Sequence, residues 1–543
     1  MPQHLPTQSE SPHTDAPVRV TPVPEVKRAG IVARMLHGTG ASAVGYGLGI
    51  GSNLLLLPLY LHFWTVSVYG EWMALYSVVN YLSNLDFGVT SAAANAATIA
   101  YARKDWPEFK RIQGTAWAIS LVFAGLGAAL VIGLSLFYFH VNRWLGLTVI
   151  NERDARLVFY GLSIALLANI PGRQLIAVFI SIGKFPTYQW LYNAFALSSV
   201  IITAAGLIAG AQPVALALLG AGTTLLMILF AAWFLGRESS SLIPRLRDAN
   251  WNTAQMLASP TGHFGISMIA TALTLQGPVI VLSRALGGPA VALFTTTRTV
   301  ANVVRGTLAL LRGPLGPELS AASAQPDKNT LRSLFRIAVG LDATIAICLT
   351  AVLWQGGVWL IRFWSHGHIT PDPQLLHLLL IAFIVEGFLQ ILAVAGWSTN
   401  QFQAWSIGQL VSAFVSLTLA VTLLGRFGPS AIPLGFIVPL VVIMTPLSVR
   451  NARKEARLGL RFVVVRMLLP FAFLVAFSVA VPAYIDTLKM SPGWLFGSIS
   501  ASIVCAAAAL AGTTVFLTQA DREMVCDRVF TPRVRSIFRT QPL

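Results

Sequence analysis

PVALALLGAGTTLLMILFAAWFL, residues 213–235, holds no charged side chain, and Arg237, Glu238, Arg245 and Arg247 follow it closely. As a helix such a run matches the roughly 30 Å hydrocarbon core of a bilayer. The pattern recurs throughout a chain of 543 residues that is 55% hydrophobic and only 11% charged. Six apolar segments, 40–61, 70–93, 112–139, 158–180, 188–209 and 213–235, precede the break at Arg237. Eight follow it, at 264–282, 289–311, 335–360, 375–395, 405–424, 432–447, 462–484 and 494–517. In lipid only helices and closed barrels satisfy every backbone group, and no segment alternates at period two as a barrel strand does. The sequence therefore predicts an all-α polytopic membrane protein of about 14 transmembrane helices.

The net charge of +16 is confined mostly to short loops. A basic surface spread over a soluble domain would suggest phosphate neutralisation on nucleic acid. Here Lys and Arg crowd into alternate connections, the pattern of loops retained in the cytoplasm. One side carries Lys27, Arg28 and Arg34, then Arg103, Lys104, Lys110 and Arg111, then Lys184, Arg237, Arg245 and Arg247. Arg312, Lys328 and Arg332, the group from Arg450 to Arg461, and the tail from Arg522 to Arg539 continue it. The other side is sparse, and its Arg143, Arg153 and Arg156 are offset by Glu152 and Asp154. An even number of crossings keeps the two sets apart and places both termini in the cytoplasm.

The expected organisation is a disordered proline-rich tail (1–37), a six-helix lobe (38–236), a cytoplasmic linker (237–262), a second six-helix lobe (263–449), two extra helices (450–518) and a basic tail (519–543). Six crossings per lobe make the two lobes parallel repeats about an axis along the membrane normal. In the register that aligns segments two and eight, Asn80 falls opposite Asn302. Cys348 and Cys505 lie in apolar segments and Cys526 in the tail, which suggests neither a disulfide framework nor a metal site. His366 and His368 form an isolated pair in an outer loop, too few for a metal.

Ionisable residues at bilayer depth are costly, about 2.5–3.5 kcal/mol on insertion scales, and so point to function. Arg298 is about ten residues into segment eight, roughly 15 Å down. Arg305 and Arg312 follow at intervals of seven, on nearly one helical face. A permanently charged guanidinium forks onto phosphate oxygens, so this stripe suits an anionic headgroup. Arg305 and Arg312 also fit simple snorkelling toward the cytoplasmic interface. Arg173 follows Pro171 and Gly172, where the helix can open toward a ligand or merely kink. The acids Glu71, Asp86, Asp342 and Glu386 are the ion-coupling candidates, with Asp86 equally readable as a helix cap. Trp64, Tyr69, Trp72, Tyr76 and Tyr81 can stack on sugars or belong to the interfacial aromatic belt. No Gly-rich run ends in Lys followed by Ser or Thr, which excludes a nucleotide-binding loop of that kind. The outer loops are too short for a catalytic site, so no enzyme is expected.

GYGLGIGSNLLLLPLYLHFW (45–64) and VYGEWMALYSVVNYLSNLDFGVTSAAANAATIAYARKD (68–105) resemble the opening helices of bacterial polysaccharide-transport flippases. Those belong to the multidrug/oligosaccharidyl-lipid/polysaccharide exporter superfamily, which also holds lipid II flippases and multidrug (MATE) exporters. The cues are Pro58 closing the first segment, Tyr69-Gly70-Glu71-Trp72 opening the second, and Asp86-Phe87-Gly88 before an Ala-rich run. The resemblance implies two lobes rocking around a central cavity by alternating access. It implies a cargo of polyprenyl-pyrophosphate-linked oligosaccharide, moved outward for O-antigen, exopolysaccharide or capsule synthesis. Arg298 matches a pyrophosphate-binding position by depth, with Arg305 and Arg173 behind it, and segments thirteen and fourteen, with Pro482 and Gly493, match a groove for the lipid tail. Substrate-binding candidates are thus Arg298, Arg305, Arg173, Asn80, Asn302 and Tyr76. The alternative is an ion-coupled MATE-like exporter of organic cations, whose cavity should be acidic. Expected partners are the lipid-linked oligosaccharide, membrane lipids, a coupling proton or sodium ion, and other polysaccharide-assembly proteins. Neither nucleic acid nor any cofactor or metal is expected.

Overall fold

The computed structural model describes residues 55–84, 88–136, 140–323, 328–398, 403–455, 459–487 and 494–511, with parts of 44–52. The two tails, Asp86, Gly493, and the side chains of Arg312 and Pro482 lie outside the described residues. Among those described there is no strand.

The chain crosses back and forth as helices. The first crossing ends in α1 (55–63). The second is broken into α2 (Val66–Asn80) and α3 (Val89–Ala102), separated by a 3-10 turn and by Gly88 at φ 83°. Then come α4 (Trp106–Leu136), the short α5 (Val141–Leu145), α6 (Glu152–Ser181), α7 (Phe185–Ile208) and α8 (Pro213–Glu238). Beyond the linker, α9 (251–286) and α10 (288–323) meet at Gly287, whose φ of 79° and ψ of −176° are open in practice to glycine alone. The rest are α11 (Lys328–Trp364), α12 (Pro373–Ser398), α13 (Gln403–Phe427), α14 (431–455), α15 (460–487) and α16 (Trp494–Ala511). Among the described residues nine continuous stretches are long and apolar enough to span a bilayer. Two of them, Gly265–Leu308 and Gln403–Lys454, each hold two crossings joined by a turn. With α1, the α2–α3 pair and α16, every apolar segment read from the sequence is a helix.

Local chemistry sets the ends. Thr65 Oγ1 accepts from Val68 N and starts α2, and Asn151 Oδ1 accepts from Asp154 N and starts α6. Proline opens α7 and α8, where its missing N–H is harmless. Gly210, at φ 80°, turns the chain between them.

The first half, α1–α8, packs around two clusters. One joins Trp72, Leu75, Val79, Phe159 and Leu216, and the other Ala93, Phe109, Phe179 and Leu235, which Leu257 of the ninth helix joins. The second half has one large core running from Val279 through Phe335 and Phe388, which Met467, Phe471, Val504 and Ala508 of α15 and α16 join. Phe471 stacks on Phe388 at 3.7 Å, and Thr344 of α11 donates to Ala508 O at 3.4 Å. The last two helices are therefore built onto the second half.

The two faces differ. On the basic face Lys184 pairs with Glu238, Asn250 N donates to Thr115 Oγ1 at 3.0 Å, and the linker backbone at Arg245 lies against Gly114. That gathers Lys110, Arg111, Lys184, Arg237, Arg245 and Arg247 on one side. On the opposite face the two halves touch directly. Gly70 of α2 meets Gly288 of α10 so closely that a Cβ on Gly70 would lie 1.8 Å from the Gly288 carbonyl oxygen. Ser283 Oγ donates to Leu145 O at 2.8 Å, and the Arg284 guanidinium donates to Arg143 O. This face is sealed.

Glu71, next to that seam, is 1% exposed. Its carboxylate accepts from Thr148 N (2.7 Å), Thr148 Oγ1 (3.1 Å), Val149 N (2.9 Å) and Ile150 N (2.7 Å). The side chain anchors the 146–151 loop, a job that leaves neither oxygen open to a transported ion. Glu71→Gln replaces one acceptor by a donor facing an N–H. The expected loss is about 1–3 kcal/mol, read as a lower thermal midpoint of the detergent-purified protein.

Candidate functional site

Arg298 and Arg305 sit two turns apart on α10, facing the interior of the second half. The Arg298 guanidinium donates to Leu275 O, a carbonyl of α9, and lies 5.1 Å over the Phe294 ring. Arg305 donates to Glu386 Oε1 of α12 at 2.9 Å and lies 5.7 Å over the Phe383 ring. Gln390 Nε2 donates to the same Glu386 oxygen at 2.9 Å, whereas Glu386 Oε2 is buried with no hydrogen-bond partner.

Two spaces adjoin these groups. One, with a cavity volume of about 30 Å³, is the more polar, with Glu386, Gln390, Trp405, Gln409 and Ser412 around it. The other, of about 40 Å³, is lined by Arg298, Phe294, Leu379, Phe383, Leu417 and Ile432. Arg305, Thr274 and Phe436 border both. The sequence reading put Arg298 on a cavity between the lobes. The spaces it borders here lie inside the second half, among α9, α10, α12, α13 and α14, because Arg298 is drawn to the α9 carbonyl. The first half reaches Arg298 through Tyr69, whose hydroxyl lies beside Thr295 and Arg298.

The site carries excess positive charge. Two guanidiniums face one carboxylate, and among the described residues lining the two spaces no other charged side chain occurs. In a low-dielectric interior an unbalanced charge is expensive unless an anion or water meets it. Trp405, which also lines the polar space, has its Nε1 buried without a partner.

The other candidates scatter. Asp342 is 1% exposed on α11 and borders neither space. Asn302 is partly buried with its Oδ1 unpartnered, and neither it nor Asn80 lines them. Trp64, Tyr69 and Trp72 gather around Tyr60 with ring centroids 5.1–6.5 Å away, and Trp64 and Trp72 meet edge to face at 5.5 Å, which makes a packed aromatic core and neither a sugar platform nor a lipid belt. Tyr76 is different: it is 37% exposed and lies beside Tyr192 of α7. Tyr192 stacks on Tyr188 at 6.5 Å, and Arg173 lies next to Tyr188. Gln189 and Asn193 interleave, their side chains bonded at 3.1 Å. Arg173 and Tyr76 thus belong to one tyrosine-rich face of the first half, away from Arg298. Sequence reading passed over the α7 residues, although YQWLYN (188–193) alternates aromatics and amides in a way no purely lipid-facing helix needs. It also passed over Trp405 and Gln409.

No family model matches this chain, and no curated protein matches it in sequence. Solved structures do. A lipid II flippase, MurJ, in an inward closed conformation superposes with a TM-score of 0.62 at 13% identity, over 87% of this chain and 98% of that one. An inward-facing multidrug resistance MATE family transporter gives 0.56 at 13% identity, over 75% and 95%. A transporter of the MOP superfamily from Pyrococcus furiosus, described for the reverse polarity of its binding pocket, gives 0.54 at 12%, over 78% and 96%. At such identities the likeness is one of fold. The chain is a multi-pass helical membrane protein with the fold of MOP superfamily transporters.

Proposed function

We propose that this protein is a flippase that moves a polyprenyl-pyrophosphate-linked oligosaccharide from the cytoplasmic to the outer leaflet of a bacterial inner membrane, for surface polysaccharide synthesis. The observation that carries the proposal is the positive charge excess at Arg298 and Arg305, about 15 Å and 25 Å along α10 from the sealed face. A headgroup with several sugars cannot cross hydrocarbon unaided, since each hydroxyl would lose its water partners. A phosphate-binding pair in the second half and a tyrosine-rich face in the first give that headgroup both charge and stacking partners. The proposal treats α1–α8 and α9–α14 as two six-helix lobes that alternate access, with α15 and α16 riding on the second lobe beside the lipid tail. With the basic face in the cytoplasm, the sealed face is the outer one. An exporter of organic cations on the same fold is disfavoured by the sign of the site, because a cation would meet unbalanced guanidinium.

The test is removal of the protein from its cell followed by mass analysis of polyprenyl-linked material. The expected result is a build-up of one pyrophosphate-linked oligosaccharide. Normal surface glycan together with new sensitivity to organic cations would contradict it.

A further inference from the structure

The chain between α8 and α9 lies flat against the edge of the membrane. The apolar run of α4 begins at Ile112, directly after Lys110 and Arg111, which sets the hydrocarbon boundary at the level of residues 112–115. The linker is folded back onto that level. Arg245 O lies so near Gly114 that an added Cβ would stand 2.6 Å from it, and Asn250 N donates to Thr115 Oγ1 at 3.0 Å. Two 3-10 turns, Ser240–Leu242 and Leu246–Asp248, tighten the chain, and Leu242 and Pro244 are buried beneath it.

What this strap turns outward is amphipathic. Leu246 is exposed between the exposed Arg245 and Arg247, and Trp251 is 74% exposed. Trp251 opens α9, where Thr253 and Leu257 are buried and Leu257 joins the first-half cluster of Phe109 and Leu235. Two residues before Thr253 is the opposite side of a helix, so the indole points away from the first half. At the end of α8 Trp233 is also exposed, with the Arg237 guanidinium 5.3 Å over its ring. Among the described residues Arg237 and Arg245 form no ion pair, and Arg247 reaches only the adjoining Asp248, at 3.9 Å. Lys184 and Arg111, by contrast, are held by Glu238 and Glu108.

We propose that the linker is a lipid-binding strap: Leu246 and Trp251 enter the interface of the leaflet on the basic face, and Arg237, Arg245 and Arg247 hold anionic phospholipid headgroups there. Indole is favoured at that depth, with its ring in the apolar layer and its N–H toward water. Guanidinium forks onto a phosphodiester, and each Arg near an anionic surface strengthens binding about fivefold. A zwitterionic lipid offers the same phosphate, but its own ammonium group offsets the charge. The contact is independent of what the protein carries, since none of these residues borders the two spaces around Arg298.

The experiment places a fluorophore on the strap. In the full-length chain with its native cysteines replaced by alanine, Ala249→Cys is labelled with bimane, at an exposed position between Arg247 and Trp251. The protein is set in phosphatidylcholine nanodiscs that contain the same small fraction of one of two spin-labelled lipids. These are phosphatidylglycerol and phosphatidylcholine, each with a nitroxide near the top of one acyl chain, which quenches bimane only on close approach. The expected result is quenching by both, with phosphatidylglycerol favoured about 30-fold or more in apparent affinity. Arg245→Gln combined with Arg247→Gln should shrink that preference by about 30-fold, and high salt should narrow it. Inorganic phosphate added at constant ionic strength should change nothing. Displacement of the lipid by phosphate would make this a site for soluble anions and overturn the inference. Equal quenching by the two lipids would also overturn it, and so would no quenching by either, which puts the strap in water. The unaltered arginines give the decisive comparison, so a double variant that fails to fold does not remove the test.

Discussion

Arg298→Ala is expected to leave the protein inserted and folded while pyrophosphate-linked cargo binds about 10–150-fold more weakly, the range for losing a hydrogen bond to a charged group of about 1.5–3 kcal/mol. Structurally the change removes a guanidinium that meets the Leu275 carbonyl and the Phe294 ring, with the Tyr69 hydroxyl beside it. Both can tolerate its loss: the carbonyl is on a helix with room beside it, and the ring stays in its core. The cargo cannot, because Arg305 alone is already neutralised by Glu386. Arg298→Lys restores charge without the fork and should recover part of the affinity. Equal expression of all three proteins, seen by fluorescence-detected chromatography, makes the binding series interpretable. Undiminished binding by Arg298→Ala would remove this residue from the mechanism.

Gly70→Val should have the second large effect, on conformation. The Cβ it adds would overlap the Gly288 backbone, where no side-chain rotation relieves the clash. Overpacking of a tight contact costs about 1–3 kcal/mol even when neighbours can yield. Here the sealed state pays that in full, whereas a state with α2 and α10 apart does not. The equilibrium should therefore shift toward an opening on the sealed face. Ser283 reports it, being 1% exposed with its hydroxyl on Leu145 O. In a chain whose native cysteines are replaced by alanine, Ser283→Cys should resist an impermeant maleimide applied from outside. Adding Gly70→Val should make it react readily. Equal protection in both would mean that the glycine contact does not govern the seal.

The fold was legible because lipid leaves so few choices. Among the described residues apolar length alone located every spanning helix, though not the short α5, and the boundaries moved only where another signal intervened. The second segment was read as ending near residue 93, yet α3 continues to Ala102 because small residues carry the helix onto the basic face. The twelfth was read as ending near residue 447, but α14 runs on to 455 as an amphipathic turn rich in Arg and Lys. Of the site, Arg298, Arg305 and Glu386 were legible individually, because a charge inside an apolar run stands out. Their pairing was not, since Arg305 and Glu386 lie on separate helices and no local pattern links them. Glu71 shows the same limit. It reads as a buried acid open to an ion, and only the loop folding back from Thr148 to Ile150 reveals that both its oxygens are taken. The cavity was misplaced for a related reason: periodicity tells which face of a helix is polar, whereas the partner of that face is set by tertiary packing.

The central claim is that the buried arginines make this an anion site. The most direct measurement is native mass spectrometry of the protein released from its own membranes, comparing the unaltered chain with Arg298→Ala. The account predicts a co-purifying polyprenyl pyrophosphate glycan on the first that is lost from the second. A bound organic cation, retained equally by both, would contradict it.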